Sequence, residues 1–245
     1  MFVDCHCHLN QNALLEKNVL YIHNATHLND IPFVLKHLNH PQVFGAIGIH
    51  PWNVSRHLNL KKMADNIFNY SKILALGEIG LDYSLQYKKT KELQIEVLKK
   101  QLSLSCDFKL PVILHCVKAS NDLLTLLKQY KTFGILHGFS GSLEEAQIFI
   151  QQGFKIGFNA NILKENFKKI RCLAKKIPVD SIVLESDFPY ASQLNDLPKI
   201  LKEIVLLRND YLSQKNSLNN LKKQILNNTC EAFCFDFFQF STVNI

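Results

Sequence analysis

A (β/α)8 barrel, an α/β fold, is the class this sequence predicts, and three observations carry the prediction. The chain has 245 residues, close to the ~250 of one such barrel. Eight short apolar runs alternate with longer amphipathic stretches, the pattern of parallel strands joined by helical crossovers. Histidines and carboxylates stand where those runs end, and in a barrel all strand ends of one kind meet at one rim. A doubly wound open sheet competes, but it usually places a glycine-rich loop after its first strand. Here His6 and His8 occupy that place. A single barrel domain over residues 1–245 is expected.

In order, strands are predicted at residues 2–8, 18–23, 43–50, 73–80, 111–116, 134–137, 155–158 and 181–186. Helical periodicity appears at 93–102, 120–130, 142–152, 200–207 and 218–226. The third of these has terminal signals. Ser142 with Glu145 three residues on forms a capping box, and Gly153 suits a C-terminal stop. The aromatic run at 233–240 either packs the last helix on the barrel or offers a partner surface.

Composition narrows the class further. With 47% hydrophobic and 20% charged residues, the chain reads as an ordinary globular protein. No stretch of ~18 apolar residues suggests a membrane span, and the N-terminus lacks the basic and apolar regions of a signal peptide. Seven cysteines without framework spacing point to a reducing cytoplasm. The formal charge of +7 suits an anionic partner such as nucleic acid. Only Arg56, Arg171 and Arg208 are arginines, and the lysine pairs read rather as solvated helix faces. No heptad array appears, so a monomer is expected.

The rim residues carry the chemistry. They are His6 and His8 from strand one, His50 from strand three, Glu78 from strand four, His115 from strand five, His137 from strand six, and Glu185 and Asp187 from strand eight. Alternation along a strand puts His6 and His8 on one face and Cys5 and Cys7 on the other. The cysteines are then small buried apolar groups rather than metal thiolates, and Cys116 follows the same logic. Burying this many ionisable groups without a cation would be unfavourable, and a divalent metal would use their lone pairs. His23, His27, His37, His40 and His57 have no motif context and read as surface or loop residues. Asp82 suits a turn cap or a substrate contact, and Asn159 either faces the site or caps the next turn.

Six segments then match a known pattern: Asp4-Cys5-His6-Cys7-His8-Leu9, Gly48-Ile49-His50-Pro51, Gly77-Glu78-Ile79-Gly80-Leu81-Asp82-Tyr83, 111–116, His137-Gly138-Phe139-Ser140-Gly141 and Leu184-Glu185-Ser186-Asp187-Phe188-Pro189-Tyr190. On these, the chain resembles the TatD family of metal-dependent hydrolases, amidohydrolase-like barrels that include deoxyribonucleases. The resemblance runs to about Tyr190, with a weaker echo at 228–233. It implies one ion held by His6, His8, Glu78 and Asp187, and a second held by Glu78, His115 and His137. Two divalent ions, Mg, Mn or Zn, are thus expected. The family commonly continues His-Cys with Arg-Asp-Ala. Here Val117-Lys118-Ala119 follows, so a bidentate guanidinium is replaced by the point charge of Lys118.

The resemblance implies cleavage of a phosphodiester, DNA first, by metal-activated water. Asp187 is expected to take the proton. Glu185 is expected either to bind substrate or to orient Asp187, or to serve as a structural carboxylate. His50 and Lys118 are expected to contact substrate. Two other readings stay open. One keeps the metals but hydrolyses an ester or amide, for example on aminoacyl-tRNA. The other is a barrel kept as a binding module.

Overall fold

Eight parallel strands follow one another in chain order around a single sheet. They are β1 (Phe2–Cys7), β2 (Val19–Asn24), β3 (Val43–Ile47), β4 (Ile73–Asp82), β5 (Val112–Val117), β6 (Gly134–Leu136), β7 (Phe154–Phe158) and β8 (Ile182–Leu184). The computed structural model describes residues 1–208 and 217–240. Its helices are α1 (Ile31–His37), α2 (Leu60–Asn69), α3 (Lys91–Phe108), α4 (Ser120–Leu127), α5 (Leu143–Gln151), α6 (Lys168–Lys176), α7 (Leu197–Leu207) and α8 (Ser217–Phe233). The (β/α)8 barrel expected from the alternation is therefore the architecture. Of the helices, α1, α2 and α6 lie outside the predicted segments. The capping box forms as read, with Glu145 N donating to Ser142 Oγ and Ser142 N donating to the Glu145 carboxylate. Gly153 ends that helix at φ +92°, a conformation glycine adopts without strain.

The barrel's seam lies between β1 and β8, which share no ladder among the described residues. Asp187 N donates to His6 O at 2.9 Å, and His8 N donates to Phe188 O at 2.7 Å. Ser186 N donates to the buried Asp4 carboxylate at 2.8 Å. Burial lifts the Asp4 carboxyl to about 7, against the pull of the Ser186 hydrogen bonds. Closing the seam and placing His6, His8 and Asp187 are thus one structural event.

Two apolar layers hold the sheet. The larger packs the outward faces of the strands against the helices, through residues such as Tyr21, Leu114, Phe149, Phe158 and Leu173. The smaller gathers Val3, Cys5, Leu20, Ile22, Phe44, Ile113, Ile135 and Val183 with Phe233 and Phe237 of the C-terminal segment. It fills the barrel interior, where side chains of successive strands meet. The aromatic run is therefore mainly a packing element: Phe237 is fully buried and meets Phe44 edge-on at 5.6 Å.

One sequence expectation is corrected here. Cys5 and Cys7 do not share a face. Cys5 belongs to the interior cluster and Cys7 to the outer one. The register of β1 against β2 shifts between Asp4 and Cys7, and such a bulge breaks strict alternation. Both thiols remain buried among apolar groups, and burial raises both well above the ordinary thiol range.

Candidate metal centre

Glu78, buried in β4, stands at the middle of the site. Its Oε1 lies 2.9 Å from His115 Nδ1, 3.3 Å from His50 Nε2 and 3.8 Å from His137 Nε2. Its Oε2 lies 3.4 Å from His6 Nε2 and 3.5 Å from His8 Nε2. Asp187 Oδ1 is 3.7 Å from His6 Nε2 and 3.8 Å from His137 Nε2. Each group arrives by local logic. His115 alternates with the interior residue Ile113 on β5, and His137 alternates with Ile135 at the end of β6. β8 stops at Leu184, so Asp187 stands in a turn, at φ 51°. Its carbonyl accepts from Tyr190 N and Ala191 N.

Hydrogen-bond partners fix several tautomers. His8 Nδ1 faces the Asn24 carbonyl at 3.1 Å. A carbonyl only accepts, so Nδ1 carries the proton and Nε2 offers its lone pair to the cluster. His50 is the reverse. Its Nδ1 accepts from Trp52 N at 3.2 Å, which leaves the proton on Nε2, facing Glu78. Burial holds His50 below the ordinary imidazole range and His6 well below it, against the attraction of Glu78.

The remaining groups are strongly coupled. Burial alone would raise Glu78, but His50, His6 and the hydrogen bond from His115 pull it well below the carboxylate range. His115 is raised, since its hydrogen bonds to Asp82 and Glu78 outweigh burial. His137 is pushed up to about 10, because Glu185 and Asp187 overcome burial. Asp187 itself is lifted to about 6 by burial, with His137 opposing.

This donor set fits a divalent cation. His6 Nε2 and His8 Nε2 are 3.0 Å apart. Two ligands at ~2.1 Å from one ion, at right or tetrahedral angles, are about 3.0–3.4 Å apart. His6, His8 and Asp187 form one group able to hold an ion, His6, Glu78 and His137 a second, and His50, Glu78 and His115 a third. All six expected ligands are thus gathered, but partitioned differently from the expectation. His137 sits with His6, their rings stacked at 3.7 Å, while its ring centroid is 6.4 Å from that of His115.

The other expected residues fall in several places. His50 joins the cluster, as a donor to Glu78. Glu185, expected to bind substrate, to orient Asp187 or to serve as a structural carboxylate, stands in a supporting position. It is fully buried and does not line the cleft. Its Oε1 accepts from Gly138 N at 2.8 Å and Asn159 Nδ2 at 3.2 Å, and lies 3.0 Å from His137 Nδ1. Only a glycine fits beneath it: a Cβ at Gly157 would stand 2.2 Å from Glu185 Oε2. Asn159 both supports Glu185 and caps the following turn through Asn161 N. Lys118 is not brought to the cleft. It is exposed, in a neighbouring concavity with Lys91, Asp122 and Glu145.

Sequence reasoning missed several contributors. Asp82 caps Ser84 N as expected of a turn residue, but its other oxygen lies 3.2 Å from His115 Nε2 and accepts from Trp52 Nε1 at 2.6 Å. Trp52 stacks on Tyr87 at 5.0 Å and remains 49% exposed. Thr26, Asn53 and Tyr190 also line the cleft. The Trp beside His50 and the Tyr after Asp187 were visible in the motifs, but their aim was not. His23, read as a surface or loop residue, is buried on β2. Its Nδ1 accepts from Leu9 N, and burial lowers it to about 3.

Comparison with known proteins gives consistent results. The family model described as TatD related DNase matches residues 3–234. The uncharacterised metal-dependent hydrolase YjjV of Escherichia coli is 32% identical over 209 residues, covering 77% of this chain and 79% of that protein. The 3'-5' ssDNA/RNA exonuclease TatD of Erwinia amylovora is 29% identical over 189 residues, covering 68% and 71%. The crystal structure of Escherichia coli YjjV, a TatD homologue, superposes with a TM-score of 0.83 at 28% identity, covering 95% of this chain and 98% of that one.

Proposed function

The chain belongs to the TatD family of metal-dependent hydrolases, and from that premise we propose that it cleaves phosphodiester bonds in nucleic acid, DNA first. The observation that carries the proposal is the Glu78 carboxylate with five imidazole nitrogens within 3.8 Å and Asp187 beside them. Two divalent ions sharing Glu78 is the arrangement we favour. His6, His8 and Asp187 would hold one with Glu78, and His115 would hold the other with Glu78. His137, grouped with His6 and Glu78, would complete the first. Zn, Mn and Mg all suit these nitrogen and oxygen donors.

Such ions supply a water acidic enough to ionise near neutral pH, and a countercharge for phosphate oxygens. The protein's groups do the rest. Asp187, which lines the cleft beside the histidine donors, would take the proton of the attacking water. His50, whose Nε2 proton faces Glu78 at 3.3 Å in the metal-free protein, would offer it to a non-bridging phosphate oxygen or the leaving oxygen once the Glu78 lone pairs are taken by ions. Asp82, itself held by Trp52, orients His115, and Glu185 orients His137, as carboxylates behind ligating histidines do.

The test is hydrolysis of a single-stranded oligodeoxynucleotide by chelator-stripped protein with each metal restored, beside Asp187→Asn. Metal-dependent cleavage lost in the variant is expected. A second reading, ester or amide hydrolysis at the same centre, has one observation in its favour: no lysine or arginine lines the cleft among the described residues. Intact oligonucleotide with metal-dependent ester turnover would replace the first reading with the second. Among the described residues no helix is long and apolar enough to cross a membrane, and all seven cysteines are free. We place the enzyme in the cytoplasm, as a monomer.

A further inference from the structure

Three concavities adjoin the metal cleft, and their charges differ. One, beside the β1–β2 loop, is lined by Glu16 and neutral groups such as Asn12 and Gln193, with no cation. Another holds Lys91 and Lys118 but also Asp122 and Glu145, so it balances internally, and Lys91 is already paired with Asp122 at 2.7 Å. The third runs between the loops after β6 and β7. It is lined by Gly138, Ser140, Asn161, Phe167, Lys168 and Lys169, among others, and no carboxylate lines it. Neither lysine has an ion-pair partner among the described residues, although Glu145 feels the charge of Lys169.

This third groove begins one residue beyond a residue of the metal cleft. Gly138, in its wall, follows His137 in the chain, and Gly138 N is fixed to Glu185. The groove also presents an aromatic ring. Phe167 is 37% exposed, with Lys164 Nζ 5.2 Å from its centroid and tethered to Asn161 Oδ1 at 3.0 Å. Residues 163–169 are all exposed. Such an exposed ring offers a face on which a base can stack. A lining of unpaired lysines, amides and one open ring is what a single polynucleotide strand recognises, phosphates on the cations and a base on the ring. Glu165 on the same ridge only partly offsets Lys164, Lys168 and Lys169.

We propose that this groove carries the strand beyond the scissile phosphate, with Lys168 and Lys169 on phosphates and Phe167 under a base. The inference rests on the nuclease reading and deepens it: the substrate is unpaired nucleic acid extending several nucleotides past the metal site. The strand leaves the cleft over Gly138. Cationic groups that the segment after His115 does not bring to the cleft are thereby supplied at the start of α6.

The experiment compares the unaltered protein with Phe167→Ala and with Lys168→Ala/Lys169→Ala, each checked for folding by circular dichroism. Two substrates are used, an oligodeoxynucleotide and bis(4-nitrophenyl) phosphate, a diester too small to reach the groove. Binding of a fluorescein-labelled oligothymidylate is read in parallel by anisotropy in chelator. Phe167→Ala is expected to weaken oligonucleotide binding and raise its KM about five- to hundred-fold. The lysine pair is expected to reduce the slope of log affinity against log salt by about 1.4. Turnover of the small diester should be unchanged in all three proteins. Unchanged oligonucleotide affinity and salt slope in both variants, from a protein that cleaves the oligonucleotide, would overturn the groove. An unaltered protein that hydrolyses neither substrate would instead remove the nuclease reading, and the groove's strand with it.

Discussion

Loading the centre with metal should expel protons, and His137 sets the amount. In the metal-free protein its imidazole is held at about 10 by Glu185 and Asp187 against the effect of burial, so at pH 7 it is an imidazolium. Ligation through Nε2 needs that proton removed. Taking it off three pH units below its pKa costs about 4 kcal/mol, which metal binding must overcome. Apparent affinity should therefore rise about tenfold per pH unit above neutrality. The sign also holds for stability. A folded pKa above the unfolded 6.5 means that the ion-pair contribution is complete below pH 6.5. It is lost as pH rises towards about 10, in the metal-free form only. Isothermal titration of manganese or zinc in buffers of unequal ionisation enthalpy gives the proton count directly. About one proton per protein is expected at pH 7, more if His115 also ligates, and His137→Asn should remove that one. No proton release, with affinity flat from pH 6.5 to 8.5, would refute the assignment of His137 as a charged group that becomes a ligand.

Three further outcomes are expected. Glu185→Gln keeps an acceptor for Gly138 N but removes the anion behind His137, so metal affinity should fall about 10- to 100-fold, with activity restored by added metal; a metal titration of activity reads this. His23, held at about 3 by burial, stays neutral in the fold while the unfolded chain protonates below pH 6.5. Stability should thus fall by up to about 1.4 kcal/mol per pH unit between 6.5 and 3, and urea melts should show His23→Gln to be less acid-sensitive. Phe237→Ala, at the filled end of the barrel, should lose about 3–5 kcal/mol in denaturant melts while metal-dependent activity per folded molecule persists.

The legible parts of the fold were those where local pattern and tertiary demand agree. β5 and β6 end in histidines because a barrel rim follows an apolar strand, and α5 carries its own capping box. Of the helices outside the predicted segments, α1 is only seven residues long, and α2 and α6 are polar. α2 has only Met63 and Ile67 buried, four residues apart. α6 buries Ile170, Leu173 and Ala174 between four lysines, a helical spacing that composition obscures. At the site, the candidate donors were legible as histidines and carboxylates recurring along or just after the strands. Their partition was not, since which imidazole lies beside which depends on the barrel's cross-section. The bulge in β1 is likewise tertiary: it sends Cys5 inward and Cys7 outward, where simple alternation paired them. Glu185 illustrates the limit best. Two residues from Asp187 in sequence, it nevertheless lies beneath His137, in space left by the absent side chain of Gly157.

Among the described residues no lysine or arginine lines the metal cleft, which has a consequence for how phosphate charge is met. At the scissile position the available partners are bound divalent ions and the neutral His50 Nε2 proton, all at short range and partly buried. Interactions of that kind are little affected by salt, whereas exposed charges are screened over about 8–10 Å at physiological ionic strength. Lys168 and Lys169 are exposed. Hydrolysis of a small diester should therefore be nearly independent of added salt, while the KM for an oligonucleotide climbs with it. Rates measured across a salt series on both substrates separate the two contributions. Equal salt sensitivity for both would mean that the cleft itself binds phosphate through a screened charge, against the lining described above.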